Sequence, residues 1–308
     1  MTVAKVKPTM NQIKLDRRRK YYMILDCETA TLPKATEYES EHAKKTIAIA
    51  KPLIYDLGYT IIDNKGNIYA KKNFLISEIF SVPEIFNTAY YKDKRNLYLE
   101  KLQKGEIILT DWNTANRELT ADLSLVSAVG AYNSMFDYKK AIPFTDLYIN
   151  MLYSPDFHEW LESQYSVCDW LVGGGKMRTE EARDFEKDIF RYKGNIYPLF
   201  DVWGLACRYL LDEEYKRMCF ENGWVSASKK YFTTNAEKVF RYLSGDMEFE
   251  ECHTAIEDCL IESEIFARVV QKTKNKWDMG LIYFPFRELG TVEEFCYQNE
   301  LFNPYSDL

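Results

Sequence analysis

The chain opens polar and turns apolar abruptly. Residues 1–19 carry no sustained apolar period and end in a basic DRRRK, so a flexible basic N-terminal arm is expected there. Apolar residues first run together at 21–26, YYMILD, which reads as a buried strand ending in an acid. A polar, irregular stretch follows. Two further apolar runs then flank DNKG: a strand at about 53–62, a turn at 64–66, and a returning strand in NIYAKKNFLIS. Three strands in an antiparallel meander are therefore expected to open the domain.

Beyond them the period lengthens. Residues 79–120 contain helical stretches, including 90–105 with Leu97, Leu99 and Leu102. A helix is expected over 113–129, with Leu119, Leu123 and Val126 on one face. A strand is expected at 127–132, SAVGAY, with a helix starting after Asn133 or Ser134. Residues 140–198 are the least regular part. Their GGGK lacks the spacing of a phosphate-binding loop and reads as a hinge or lid. A strand resumes at 198–201, PLFD, and VWGLACRYLL has the period of a helix. A capped helix is expected at 235–243, with Asn235 as N-cap and Gly245 as terminator. Another spans 253–270, its buried stripe being Ala255, Cys259, Ile261, Ile265 and Val269. From Thr273 the chain becomes aromatic and loop-like. The expected organisation is the arm (1–19), one α/β domain (20–272) with an insertion at about 140–198, and an aromatic C-terminal extension (273–308).

Composition narrows the class. At 308 residues, 46% hydrophobic and 15% aromatic, the chain can bury a large core. A net charge of −7 argues against a broad basic face for gripping duplex DNA. Seven cysteines without paired spacing point to reduced, buried thiols in a cytoplasmic protein, not to zinc or disulfides. No signal peptide or membrane-spanning apolar run is read.

Three short stretches carry candidate chemistry. In ILDCET, Asp26 and Glu28 share one face of a strand, where their charges repel unless a cation lies between them. Oxygen-only ligands suit Mg²⁺ or Mn²⁺. In YNSMFD, Asp137 follows Asn133 by four residues, which places the two on one helix face, with Phe136 anchoring the turn in the core. In HTAIED, His253 and Asp258 would differ by about 140° if both were helical, so they cooperate more naturally with His253 on a loop before the helix. Singly, each stretch is also what an ordinary surface acid gives; in this order they reinforce one another.

Together these motifs resemble the DEDDh branch of the DnaQ-like 3′–5′ exonucleases, the superfamily that includes the proofreading subunit of bacterial DNA polymerase III and RNase T. The family's apolar strand followed by DxET matches ILDCET, its NxxFD matches NSMFD, and its HxAxxD matches HTAIED. The likeness covers roughly residues 20–270, with the 140–198 segment longer than in compact members. It implies a ribonuclease H-like fold, with a mixed central sheet flanked by helices. It implies that Asp26, Glu28, Asp137 and Asp258 hold two Mg²⁺ or Mn²⁺ and that His253 is the general base. Thr29, Tyr132 and Asn133 would contact substrate, and Asp201 is read as structural or substrate-side. The expected activity is hydrolysis at the 3′ end of single-stranded nucleic acid, DNA ahead of RNA, releasing nucleoside 5′-monophosphates.

Three readings stay open beside it: an RNA-directed exonuclease, a catalytically silent binding module on the same fold, and a non-nucleic-acid hydrolase or structural protein whose acids are surface decoration. Replication or repair proteins are the expected protein partners, reached through the arm, the insertion or the tail.

Overall fold

The apolar run that begins at Tyr21 does not stop at Asp26. It continues as β1 (Tyr21–Ala30) in the computed structural model, which describes residues 15–16, 18–31, 38–40, 43–47, 52–153 and 188–305. The strand carries its acids in its second half and breaks register by a bulge between Glu28 and Thr29. Two short strands, β2 (Tyr38–Ser40) and β3 (Ala43–Ile47), pair only with each other. β4 (Leu53–Asp63) and β5 (Ile68–Ile76) form the hairpin that DNKG predicts, and β4 lies antiparallel to β1. The expected meander is present.

The next strand falls where helices are expected: β6 (Ile108–Thr110) pairs parallel to β5. The helix expected over 113–129 is Trp112–Leu123. Strand pairing ends it early. The Ser127 amide donates to the Tyr21 carbonyl at 2.8 Å, and β7 (Ala128–Ala131) runs parallel to β1 from there. Within the segment read as irregular (140–198), the described parts are regular: Ile142–Tyr153 is a helix, and β8 (Ile189–Tyr192) turns back antiparallel on β9 (Asn195–Asp201). β9 begins earlier than expected because its first residues pair with β8. The sheet is seven-stranded and mixed, in the order β6-β5-β4-β1-β7-β9-β8.

Alternation along β1 divides the core in two. Met23 and Leu25 face one buried cluster, with Trp112, Leu119 and Tyr138. Tyr22 and Ile24 face the other, built from the helices Val202–Tyr209 and Ala255–Thr273. The expected stripe of the second helix is buried throughout.

The tail is less loop-like than expected. Thr291 and Glu294 form a capping box that starts a helix, Val292–Gln298, and Phe295 of that helix is buried in the second cluster. Trp277 packs edge-on to Phe266 at 5.3 Å, so the extension folds back on the domain.

GGGK, Trp160, Trp170, His42, His158, Cys168 and most of the N-terminal arm lie outside the described residues. The described end of the arm is tied down by an ion pair between Arg19 and Asp63 at 2.6 Å. Cys27, Cys207, Cys219, Cys252, Cys259 and Cys296 are free thiols, five of them buried. No helix among the described residues is long and apolar enough to cross a membrane.

Candidate metal centre

Asp26 and Glu28 point from β1 toward the side covered by the helix Ala255–Thr273. Asp258 lies in the first turn of that helix. The start of the helix is held from outside its own sequence. Thr254, its N-cap, makes no cap bond with its side chain; its hydroxyl donates to Glu257 at 2.5 Å instead. The Ala255 amide donates to Asp56 of β4 at 3.0 Å, and Asp56 also accepts from the Asn73 side chain. His253 precedes the helix, with a left-handed backbone (φ 51°) that swings the imidazole out of the helical progression. The loop position expected for it is the one observed. Ligand atoms of Glu28, His253 and Asp258 lie within 4.8 Å of one another.

Asp137 arrives from the opposite side, through the turn after β7. Asn133 does not share a helix face with it, as the four-residue spacing suggests. Asn133 has left-handed backbone (φ 86°) and stands before the helix. Asp201 holds that shape, accepting the amides of Asn133 and Ser134 at 3.0 and 3.1 Å, while its other oxygen accepts the Gly204 amide at 3.1 Å. Asp201 is thus structural. The helix begun by Ser134–Phe136 widens into a π turn, Asp137–Ala141, before resuming; such widened turns recur at functional sites. Phe136 is half-buried against the first cluster.

The electrostatics of the cluster are those of crowded acids. Burial, followed by the charges of Asp137, Asp56 and Glu251, pushes Asp26 well above the usual carboxylate range. Burial pushes Asp137 up as well. Glu28 is raised to about 10 by burial, then by Asp26 and Asp258. Asp258 is raised to about 9 by burial, then by Asp26 and Glu251. Lys94 works against both shifts, but its ammonium is engaged by the Cys252 carbonyl at 2.5 Å. The His253 imidazole is held below its ordinary pKa by burial and Lys94, which keeps it neutral near pH 7.

A divalent cation fits these residues. The donors are carboxylate oxygens with one imidazole, a set that hard cations such as Mg²⁺ and Mn²⁺ take. One oxygen each of Asp137 and Asp258 is buried without a hydrogen-bond partner, a costly arrangement that metal coordination relieves. Of the expected ligands the structure brings Glu28 and Asp258 together with His253 within 4.8 Å; Asp26 and Asp137 do not fall within that group, though the charge of Asp26 reaches both Glu28 and Asp258 and that of Asp137 reaches Asp26.

The remaining expected site residues lie at the margins. Thr29 follows the bulge, half-buried, with its backbone opposite Ile54. Tyr132 and Asn133 do not enter the acid cluster; they line a neighbouring cavity. The two sites touch through the Tyr132 amide, which donates to Glu262 at 3.0 Å.

Glu262 is one of several residues that sequence reasoning missed. It is buried, and burial followed by Asp26 and Asp137 raises it well above the carboxylate range. Its signal was an acid four residues after Asp258, within an apolar stripe. Asp56 was equally visible as an acid inside the apolar run LIYDLGYTII. Glu251, 3.6 Å from His253 Nδ1 and raised to about 7 by burial and Glu237, had no such signal in its acidic surroundings. Nor did Tyr91, whose ring stacks on the imidazole at 4.4 Å and 13°.

No protein-family model matches this chain, and no curated protein does.

Proposed function

We propose that the protein is a metal-dependent 3′–5′ exonuclease of the DEDDh type. One observation carries the reading: Glu28 and Asp258, from a strand and a helix far apart in the chain, lie within 4.8 Å of an imidazole held outside the helix that follows it, and Asp26 and Asp137 stand near enough for their charges to act on the same cluster. The sheet supports a ribonuclease H-like fold, since three antiparallel strands (β1, β4, β5) are followed by β7 and β9 parallel to β1.

The chemistry is hydrolysis of the last phosphodiester bond. Bound divalent cations supply charge neutralisation and Lewis acidity at the scissile phosphate. Asp26, Glu28, Asp137 and Asp258 fix where those charges lie. His253 Nδ1 faces Glu251 and Asp258 at 3.6 and 3.9 Å, which favours the tautomer protonated there. Nε2 then accepts the proton of the attacking water. The water oxygen bonds to phosphorus, the bond to the 3′ oxygen of the preceding nucleotide breaks, and that oxygen takes a proton from solvent. The products are a nucleoside 5′-monophosphate and a strand one unit shorter.

Hydrolysis of 3′- and 5′-labelled single-stranded DNA and RNA tests this, with Mg²⁺ or Mn²⁺ and with Asp26→Ala and His253→Ala as controls. Stepwise shortening from the 3′ end, lost in both variants and in EDTA, is expected, with DNA preferred to RNA. Folded wild-type protein that shortens no strand in either metal would overturn the reading in favour of a silent binding module.

A further inference from the structure

Beside the acid cluster lies a cavity of about 540 Å³, within the size range of ligand sites. Its walls are aromatic: Tyr132 stacks on Trp203 (6.3 Å, 22°), Trp203 meets Phe286 at 6.2 Å, and Phe286 meets Tyr231 edge-on at 4.8 Å. These rings come from four distant stretches and are pinned in place. The Tyr132 hydroxyl donates to the Thr234 carbonyl at 2.6 Å, and Trp203 Nε1 donates to the Thr234 hydroxyl at 2.8 Å. Asn133 stands at the mouth, exposed and in a left-handed conformation that Asp201 imposes.

Two cations lie against neighbouring aromatic rings in a protein that is acidic overall. Lys230 lies 5.5 Å from the Tyr231 ring and Arg287 lies 4.5 Å from the Phe284 ring. Phe284 has left-handed backbone (φ 54°) and is 54% exposed, next to Phe286 at 6.0 Å. A large apolar ring held in water by an unfavourable backbone is a feature that packing alone does not explain.

The cavity is joined to the metal centre on two sides. Tyr132 donates its amide to Glu262, which the charges of Asp26 and Asp137 reach. Asn235, on the cavity wall, starts the helix whose Glu237 lies within 4.8 Å of His253.

We propose that this cavity is a subsite for unpaired nucleotides, which stack on Tyr132, Trp203, Tyr231 and Phe286 while Lys230 and Arg287 meet the phosphates. Stacking platforms edged by cations suit single strands of any sequence, because every base has a π face. The inference rests on the exonuclease reading and adds which residues hold the strand upstream of the 3′ end: an unpaired base can lay its face on these rings, which a base stacked within a duplex cannot.

Two substrates separate the sites. A p-nitrophenyl ester of a nucleoside 5′-monophosphate reports the acid cluster alone; a single-stranded oligonucleotide reports both. Tyr231→Ala and Phe286→Ala, each verified as folded, are expected to raise the oligonucleotide KM about tenfold or more. Ester hydrolysis should stay within about twofold of wild type. The preference for single strands over blunt duplexes should shrink in both variants. Trp203→Phe, which keeps a ring, should retain most of the affinity.

Fluorescence of 2-aminopurine in a phosphorothioate strand, in EDTA, reads binding without catalysis. Quenching by wild type that is lost in Tyr231→Ala supports the subsite even if the protein hydrolyses nothing, in which case only the exonuclease reading fails. An unchanged oligonucleotide KM in both folded variants, or no binding of the strand by wild type, would overturn the subsite.

Discussion

Gly58 and Ala255 meet backbone to backbone. A Cβ on Gly58 would overlap the Ala255 carbonyl group and stand 2.5 Å from the Ile256 nitrogen. Gly58 also lies opposite Asp26 in the β1–β4 pairing. The bare backbone of β4 therefore sets how closely the Asp258 helix approaches the Asp26 strand. Gly58→Ala must push the helix away or strain it, at a cost of about 1–3 kcal/mol. The expected outcome is a lowered denaturation midpoint together with a large loss of metal-dependent activity. A variant as active and as stable as wild type would show that the close approach is not needed.

The crowded acids predict how pH and metal act on stability. Asp56, Glu251, Asp258 and Glu28 are raised to about 6, 7, 9 and 10, all above their unfolded values. Between the unfolded and folded pKa values the native state binds more protons, so stability falls as pH rises. Metal-free protein should be most stable near pH 4 with respect to these groups and lose that contribution progressively toward pH 10. A divalent cation binds the ionised form, so its stabilisation should grow with pH. At one hundred times Kd, linkage supplies about 2.7 kcal/mol, roughly 4 °C in Tm for a chain of 308 residues. Thermal melts at pH 6 and pH 8, in EDTA and in Mn²⁺, check both signs; a metal-induced shift that shrinks at pH 8 would contradict the arrangement.

Much of this centre was legible because its parts are local. The DxE alternation on β1 depends on two residues, and the strand period puts both on one face. The helix of Asp258 was visible in its apolar stripe, and the hairpin in DNKG. What was not legible depends on contacts made across the sheet. Asp56 caps a helix 199 residues away, and spacing cannot announce such a bond. The helix starts after Asn133 as expected, so the count of four that put Asn133 and Asp137 on one helix face does not hold, and what spacing could not announce is the bond by which Asp201 holds Asn133 left-handed. The early end of the Trp112–Leu123 helix had the same cause, since parallel pairing with β1 claims the residues after Ser127.

Asp201 acts on the site without entering it. Its buried carboxylate accepts three backbone amides, and burial opposed by those bonds raises it to about 6. Asp201→Ala leaves three amides unpaired and should cost about 2–4 kcal/mol. It should also release Asn133 from its left-handed shape, raising KM for oligonucleotides more than it lowers ester hydrolysis. Equilibrium unfolding and the two substrates measured together check this; an unchanged midpoint would refute the capping role.

Tyr91 lies flat against the His253 imidazole, with centroids 4.4 Å apart, and Lys94 sits 4.8 Å from the Tyr91 ring. Unlike the four carboxylates, which sit on strand or helix, His253 sits on irregular backbone, so its ring depends on this stack and the neighbouring carboxylates. A loosely held imidazole spends less time where it can accept the proton of water. Tyr91→Ala should therefore lower kcat about tenfold with a smaller change in KM, while Tyr91→Phe keeps the stack and should stay near wild type. Metal affinity, read by the Mn²⁺-induced rise in Tm, should change less than kcat in both, because the Tyr91 phenol, though near enough to feel the charges of Glu28 and Asp258, stays neutral and adds no ligand charge. Equal loss of kcat in Tyr91→Phe would assign the effect to the hydroxyl and not to the ring, and equal loss of metal affinity would make Tyr91 a support of the whole cluster.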